Sequence, residues 1–496
     1  MASSLASGPE HGEKLINPRI FVKSSHVLSA AEPKARFNFR LDLVILKITI
    51  KLSNYDQYVN QWTTSVQSNF QPPLIAQFQF PAHGPHQKAR CPRRFLRSLT
   101  ILLICLWFGD RNANAIEAGS QDDIVLGMST VLTGNAANLG KDMQRGILVG
   151  LERTNRSGGV NGRRLRLITL DDGYEPARTA PNIRQLIEKE HVLAVIGNVG
   201  TPPAIVAVPL VNEQKTLLFA PFSGGPVLRK NPPDRYVINF RAGYAEETSA
   251  MLDALMGIAG LRPEEIAFFT QRDSYGDAGF ALGIAALQRH GFKDLAKILH
   301  VGYERNTLAV ESAVAKVLMA EKPPRAILMI GAYAPCAKFI KLCRNADLNP
   351  LFLNVSFVGS SSLAESLGRT DAQVIVTQVV PNPADDSVPI VREYQADLKV
   401  IDPLASAGFG DLEGYIAARI LTLALAKIQG PPTREAIVDA LEGLGNFDIG
   451  LGDSLYLSRT EHQASHRVWP TILKGGRFVP FDWSDITALS KGEALR

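Results

Sequence analysis

Four cysteines in 496 residues are too few for a disulfide scaffold, and no apolar run reaches the length that crosses a bilayer. Charge of one sign is also scarce. Lys and Arg number 53 against 48 Asp and Glu, a formal +5, and even that surplus is local. Residues 1–115 hold 14 basic and 6 acidic side chains, whereas the remainder holds 39 basic and 42 acidic. The main body therefore lacks the basic footprint that nucleic acid requires. What is present is a chain 46% hydrophobic and 20% charged, long enough to bury two cores.

The N-terminal region divides in two. Residues 1–88 are rich in Gln, Asn, Ser and Pro and show no sustained periodicity apart from Leu41–Ile50. We read them as an unassigned extension that results from a translation start assigned too far upstream; a genuine disordered extension is the alternative. Residues 89–115 have the build of a secretion signal. Arg93, Arg94 and Arg97 precede a short apolar stretch, Ser98–Phe108, and Ala113-Asn-Ala115 supplies the small-residue site a signal peptidase accepts. Ile104 is too bulky to precede a lipidated cysteine at Cys105. Cleavage after Ala115 and a soluble periplasmic body are expected.

From Asp122 onward, β-branched apolar runs alternate with segments of helical period, the pattern of a parallel sheet covered on both faces. Strands are expected at 124–129, 165–171, 192–199, 216–220, 265–270, 295–301, 326–331, 351–356 and 373–378. Helices are expected at 139–154, 177–189, 246–258, 276–290 and 308–320. This is too much for one compact sheet. The expected fold class is α/β, two doubly wound parallel-sheet lobes joined by a multi-strand hinge with a ligand cleft between them. Crossings near Arg241, Val380 and the Gly-rich stretch around Gly445 assign 122–242 plus 380–446 to the first lobe and 243–379 plus 447–496 to the second.

Five loops that follow strands carry small, hydroxyl or aromatic residues: 198–203, 220–225, 273–276, 331–335 and 356–360. In open parallel sheets such loops converge on the ligand. Catalytic patterns are weak by comparison. Gly134–Asp142 imitates a phosphate loop, but five residues separate its glycines and Asp142 stands where a magnesium-binding hydroxyl is needed. His462 and His466 lack a neighbouring base and read as surface residues. Cys336 and Cys343, about 10.5 Å apart along one helix, cannot pair and read as buried apolar groups. Ser223 has no nucleophile elbow. Asp171-Asp172 reads as a solvent-facing strand end. The chain is not expected to be an enzyme, and it calls for no cofactor or metal.

The opening Leu132-Thr-Gly134, the run Glu152–Gly162, Val195-Ile-Gly197, Ala220-Pro221 and Asp273-Ser-Tyr-Gly276 resemble the leucine/isoleucine/valine-binding proteins over about residues 122–485. These are type I periplasmic binding proteins of ABC importers. The resemblance implies a monomeric, non-catalytic clamp that closes on an amino acid or related molecule and docks on an inner-membrane permease, with no nucleic-acid partner. It also implies the ligand-binding residues. Thr201 matches a hydroxyl on the ligand carboxylate, and Phe222, Ser223 and Gly224 match the loop that helps hold it. Leu139 matches a residue over the ligand, and Tyr275 and Tyr333 match tyrosines of the second lobe. Ser356 falls where amino-acid binders place a carboxylate. A buried ammonium needs such a charge, so a carboxylate or amide without a free α-ammonium is expected, the alternative being that Asp273 or another acid reaches the ammonium instead. A sensory subunit of the same fold is the alternative function.

Overall fold

The computed structural model describes residues 123–491; the extension, the expected signal segment with its expected cleavage site, and Cys105 lie outside them. The body is built on two sheets. β1 (Ile124–Thr130), β2 (Leu165–Asp171), β3 (Ala194–Ile196), β4 (Leu217–Phe219) and β5 (Val237–Ile238) form a parallel sheet in the order β2-β1-β3-β4-β5. β6 (Ile266–Gln271), β7 (Leu299–Tyr303), β8 (Ala326–Ile330), β9 (Leu351–Asn354) and β10 (Val374–Gln378) are parallel in the second sheet. Antiparallel β13 (Trp469–Lys474) and β14 (Arg477–Pro480) extend it, giving β14-β13-β10-β9-β8-β6-β7. β6, β8 and β10 are buried at every residue, as a strand covered on both faces must be, and this explains their unbroken apolar runs.

Helices alternate with these strands: α1 (Ala137–Arg156), α2 (Pro176–Arg184) and α3 (Thr201–Glu213) in the first lobe, then α4 (Tyr244–Asp253), α5 (Ser274–Arg289), α6 (Glu311–Leu318), α7 (Tyr333–Asn345) and α8 (Ser360–Leu367) in the second. After β10 the chain returns to the first lobe as α9 (Pro389–Ile401), α10 (Phe409–Ala426) and α11 (Arg434–Glu442). α1 and α10 approach so closely that a Cβ on Gly146 would lie 1.8 Å from the Asp411 carbonyl oxygen, and one on Gly414 would lie 2.3 Å from that of Met143. Arg145 fastens the pair by donating from Nε and Nη2 to Asp411 at 2.7 and 2.9 Å.

Three passages join the lobes. The first follows β5 and the second follows β10. The Gly-rich stretch at Gly443 does not make the third: β11 (Gly445–Phe447) and β12 (Leu455–Leu457) pair with each other, and the crossing is the segment 458–468 that leads to β13. That segment runs beside the first passage. Asn239 N–H donates to the His462 carbonyl at 2.7 Å, and Ala464 and Ser465 donate to the carbonyls of Asn239 and Phe240 at 3.0 and 2.8 Å. The polarity of this region corrects the expectation for His462, which is buried and holds Glu442 at 3.2 Å, while His466 stays exposed on Glu246. Asp172 is corrected too. It is fully buried and accepts from Ser129, Thr179 and the Tyr174 N–H. Cys336 and Cys343 lie buried and unpaired on α7, with burial pushing the Cys343 thiol up to about 12.

Candidate functional site

In each sheet the strand order reverses once, between β1 and β3 in the first and between β6 and β8 in the second. Loops leaving such adjacent strands diverge to opposite faces and open a crevice at their carboxyl ends. In this chain the helices that follow β3, β6 and β8 carry Thr201, Tyr275 and Tyr333 in their first turns.

Thr201 opens α3 and its Oγ1 lies 2.8 Å from Ser223 Oγ, which also accepts the Gly225 N–H at 3.1 Å. Gly200 precedes it at φ 100°, and a Cβ there would lie 2.2 Å from the Tyr174 ring, so only glycine can lead the chain into this helix. Gly224 backs onto Tyr244, where a Cβ would lie 2.4 Å from the ring. The Tyr244 hydroxyl is buried close to Thr201 and Ser223 without completing a hydrogen bond to either. Two hydroxyls, a helix N-terminus and a spare phenol form an end suited to an anion or amide.

On the second lobe, Asp273 caps α5 by accepting the Tyr275 N–H at 3.0 Å, and Tyr275 is fully buried behind it. Tyr333 begins α7, and its hydroxyl accepts the Asn138 N–H of α1 at 3.4 Å. Leu139 lies next to that contact and packs under the turn at Gly359. Phe222, from the first lobe, faces Phe357, from the second, with ring centroids 5.5 Å apart.

The surroundings of Ser356 depart from the expectation. Its N–H and Oγ donate to the two carboxylate oxygens of Glu247 at 2.7 and 3.0 Å, and Thr377 Oγ1 donates to the same carboxylate at 2.7 Å. Arg241, wholly buried, pairs with Glu247 at 3.0 Å and Glu413 at 3.5 Å, donates to Ser356 Oγ and lies over the Phe222 ring at 5.3 Å. Burial, opposed by Arg241, raises Glu413 to about 7 and also raises Glu247. Asp142 on α1 is raised to about 7 by burial and by the neighbouring Asp411. Acidity is thus plentiful where Ser356 alone promised none.

A cavity of ≈ 10 Å³ lies here, lined by Leu139, Phe222 and Ser356 of the expected residues together with Asp142, Gln378 and Glu413, whereas Thr201, Ser223, Gly224, Tyr275 and Tyr333 are not in its lining. That is room for about one water. Sequence reasoning missed Arg241 and Glu247, Glu413, Asp142, Tyr174, Tyr244 and Phe357. Arg241 stood in the loop read as a hinge, and a lone cation between Phe240 and Ala242 was the one signal that could have exposed it. Among the described residues no group of three His, Cys, Asp or Glu side chains is placed to hold a metal ion, and no helix is long and apolar enough to cross a membrane.

Residues 123–477 match the family model for periplasmic binding proteins. The chain belongs to that family. Its solved relatives include a protein from Rhodopirellula baltica described as a possible leucine/isoleucine/valine-binding protein, 46% identical, with a TM-score of 0.71 over 74% of this chain and 99% of that one. A leucine-, isoleucine-, valine-, threonine- and alanine-binding protein of Pseudomonas aeruginosa is 23% identical, over 67% of this chain and 85% of that protein. An amino acid binding protein of the same organism is 22% identical, and the match spans half of this chain but only 64% of that protein. The periplasmic binding proteins are solute-binding and not enzymatic, and this two-lobed chain is a member of their leucine/isoleucine/valine-binding family.

Proposed function

We propose that this periplasmic binding protein is the extracytoplasmic component of an ABC importer, a monomer that closes its lobes on a small carboxylate, amide or amino-acid-like ligand and delivers it to an inner-membrane permease. The observation that carries the reading is the Thr201–Ser223 hydroxyl pair at the start of α3, set in the same interlobe cluster as Tyr275 and Phe357. The hydroxyls and helix N-terminus would hold the carboxyl or amide end. Leu139, Phe222, Gly224, Tyr275, Tyr333 and Ser356 would wall the rest. Glu413 and Asp142 also line the cavity, and an ammonium bound there would have to draw one of these proton-holding carboxyls into its charged form.

Ligand-stripped protein should be screened by calorimetry and thermal shift against short carboxylates, amides and amino acids, since a ligand that binds only the folded state raises its melting temperature. Thr201→Ala and Tyr275→Ala should each weaken the ligand found, by about 1 kcal/mol per lost hydrogen bond. Unchanged affinity in both would remove the cleft assignment. Mass spectrometry of exported protein should find its N-terminus at or near Ile116, and residues 1–88 on the mature protein would refute secretion by the 89–115 segment.

A further inference from the structure

Phe357 sits between the lobes behind the cavity lining, next to Ser356 and against the Phe222 ring. It is wholly buried, and its ring lies 4.7 Å from Tyr275 of its own lobe and 5.5 and 6.1 Å from Phe222 and Tyr174 of the other. These centroid separations are those of packed aromatic pairs, so no further side chain fits among the four rings. The turn that carries Phe357 is fastened at both ends. Ser356 is bonded through N–H and Oγ to Glu247, itself paired with Arg241. On the far side Gly359 takes φ 80°, and a Cβ there would lie 2.6 Å from Leu139 Cδ2. Swinging the ring out would pull Ser356 from a buried carboxylate and leave unpaired polar groups, which is costly in a dry site.

We propose that Phe357 is the specificity-determining residue of this cleft: a fixed wall that fills its apolar end and limits the ligand to one without a branched or aromatic side chain. The permitted class is a short carboxylate or amide, or an amino acid of glycine or alanine size. This rests on the solute-binding reading above and narrows it.

The test compares wild-type protein with Phe357→Ala and the milder Phe357→Leu, each refolded after ligand stripping. The probes are acetate, propionate, propionamide, glycine and alanine on one side, and isovalerate, leucine and phenylacetate on the other. The wild type should bind within the first group and reject the second. Phe357→Ala should gain isovalerate or leucine by at least about tenfold, the lower end of what one accommodated methylene is worth in an apolar pocket, with Phe357→Leu in between. Branched probes that bind the wild type as tightly as Phe357→Ala would show that the ligand displaces the ring, and would overturn the proposal. So would folded variants that gain no large probe. Benzene separates this failure from failure of the solute reading, because it needs no polar anchor. Benzene stabilising Phe357→Ala but not the wild type, with no polar probe bound by either, would support the wall and count against the solute reading.

Discussion

The guanidinium of Arg305 donates to the carboxylate of Glu175 at 2.8 Å and so ties the second lobe to the first at the rim of the cleft. Asn306 adds to the tie, donating to Glu175 Oε1 at 2.6 Å and to the Gly173 carbonyl at 3.2 Å, while Asn135 donates back to the Asn306 carbonyl at 3.2 Å. Arg305 also reaches Asp273 at 3.4 Å, linking the rim to the cap of α5. None of these groups lines the cavity, so they favour closure whatever the ligand is.

Removing this rim contact should shift the free protein toward an open form. Both partners are partly exposed, and an exposed ion pair is worth about 0–1 kcal/mol. Glu175→Ala should therefore enlarge the radius of gyration measured by scattering and weaken ligand binding by no more than about fivefold. Added salt should reproduce part of the effect in the wild type. An unchanged radius of gyration would mean that the rim bonds follow closure without favouring it.

Deeper in, Arg241 should matter more than either of its acids. Arg241→Met leaves Glu247 and Glu413 both buried without their cation, and breaking a buried pair this way costs roughly 3–5 kcal/mol. Glu247→Gln keeps an acceptor for the Ser356 N–H and leaves Arg241 its contact with Glu413, so it should cost less. Denaturant midpoints decide the order. Losses in the Arg241→Met/Glu247→Gln double variant should fall short of the sum, since the two share one interaction. Equal losses in the two single variants would contradict this account.

The central strands were legible because burial on both faces writes itself as unbroken apolar runs, and the partly exposed β2 and β7 through their β-branched and apolar residues; each of the expected strands overlaps an observed one, with 295–301 displaced to β7 at Leu299–Tyr303. β5, with two residues, and the β11–β12 pair, with three each, are too short to show a period. Site residues split along the same line. Ser223 sits in the loop after β4, and Thr201 and Tyr275 sit at the starts of the helices that follow β3 and β6, so topology points to them. Glu247 lies in the first turn of α4 and Glu413 lies beyond the first turn of α10, positions where a carboxylate reads as a helix-start or solvated-face charge, and only the tertiary fold turns them onto Arg241. Phe357 was hidden by its neighbour, since Ser356 drew the attention that the aromatic side chain carried structurally.

The contact between α1 and α10 gives a prediction about folding rather than binding. Gly146→Ala would drive a methyl group into the Asp411 backbone, which cannot yield without separating the two helices. Overpacking of this kind costs typically 1–3 kcal/mol and more where backbone is struck. Gly158→Ala serves as a control with open space around it but φ 96°, so its loss should reflect backbone strain alone. A Gly146→Ala protein with wild-type stability would show that the helix pair is not so tightly set.

The last prediction concerns pH. Burial raises Asp142 from 3.8 and Glu413 from 4.5, each to about 7. Between those ordinary values and about 7 the folded protein keeps protons that the unfolded chain has released, so stability must fall as pH rises through this window. Each such proton contributes a slope of at most about 1.4 kcal/mol per pH unit. Asp171 acts in the opposite sense. Although burial pushes it up, bonds from Leu132 N–H, Thr133 and Arg178 hold it at about 2, so its stabilisation is lost only as pH falls from about 4 toward 2. The melting temperature should therefore be higher near pH 5 than near pH 8. Asp142→Asn and Glu413→Gln should each flatten the fall, raising stability at pH 8 while changing it little at pH 5. Melting curves across that range decide it: a wild-type profile that is flat or rises toward pH 8 would mean that these carboxyls are not held protonated in the fold.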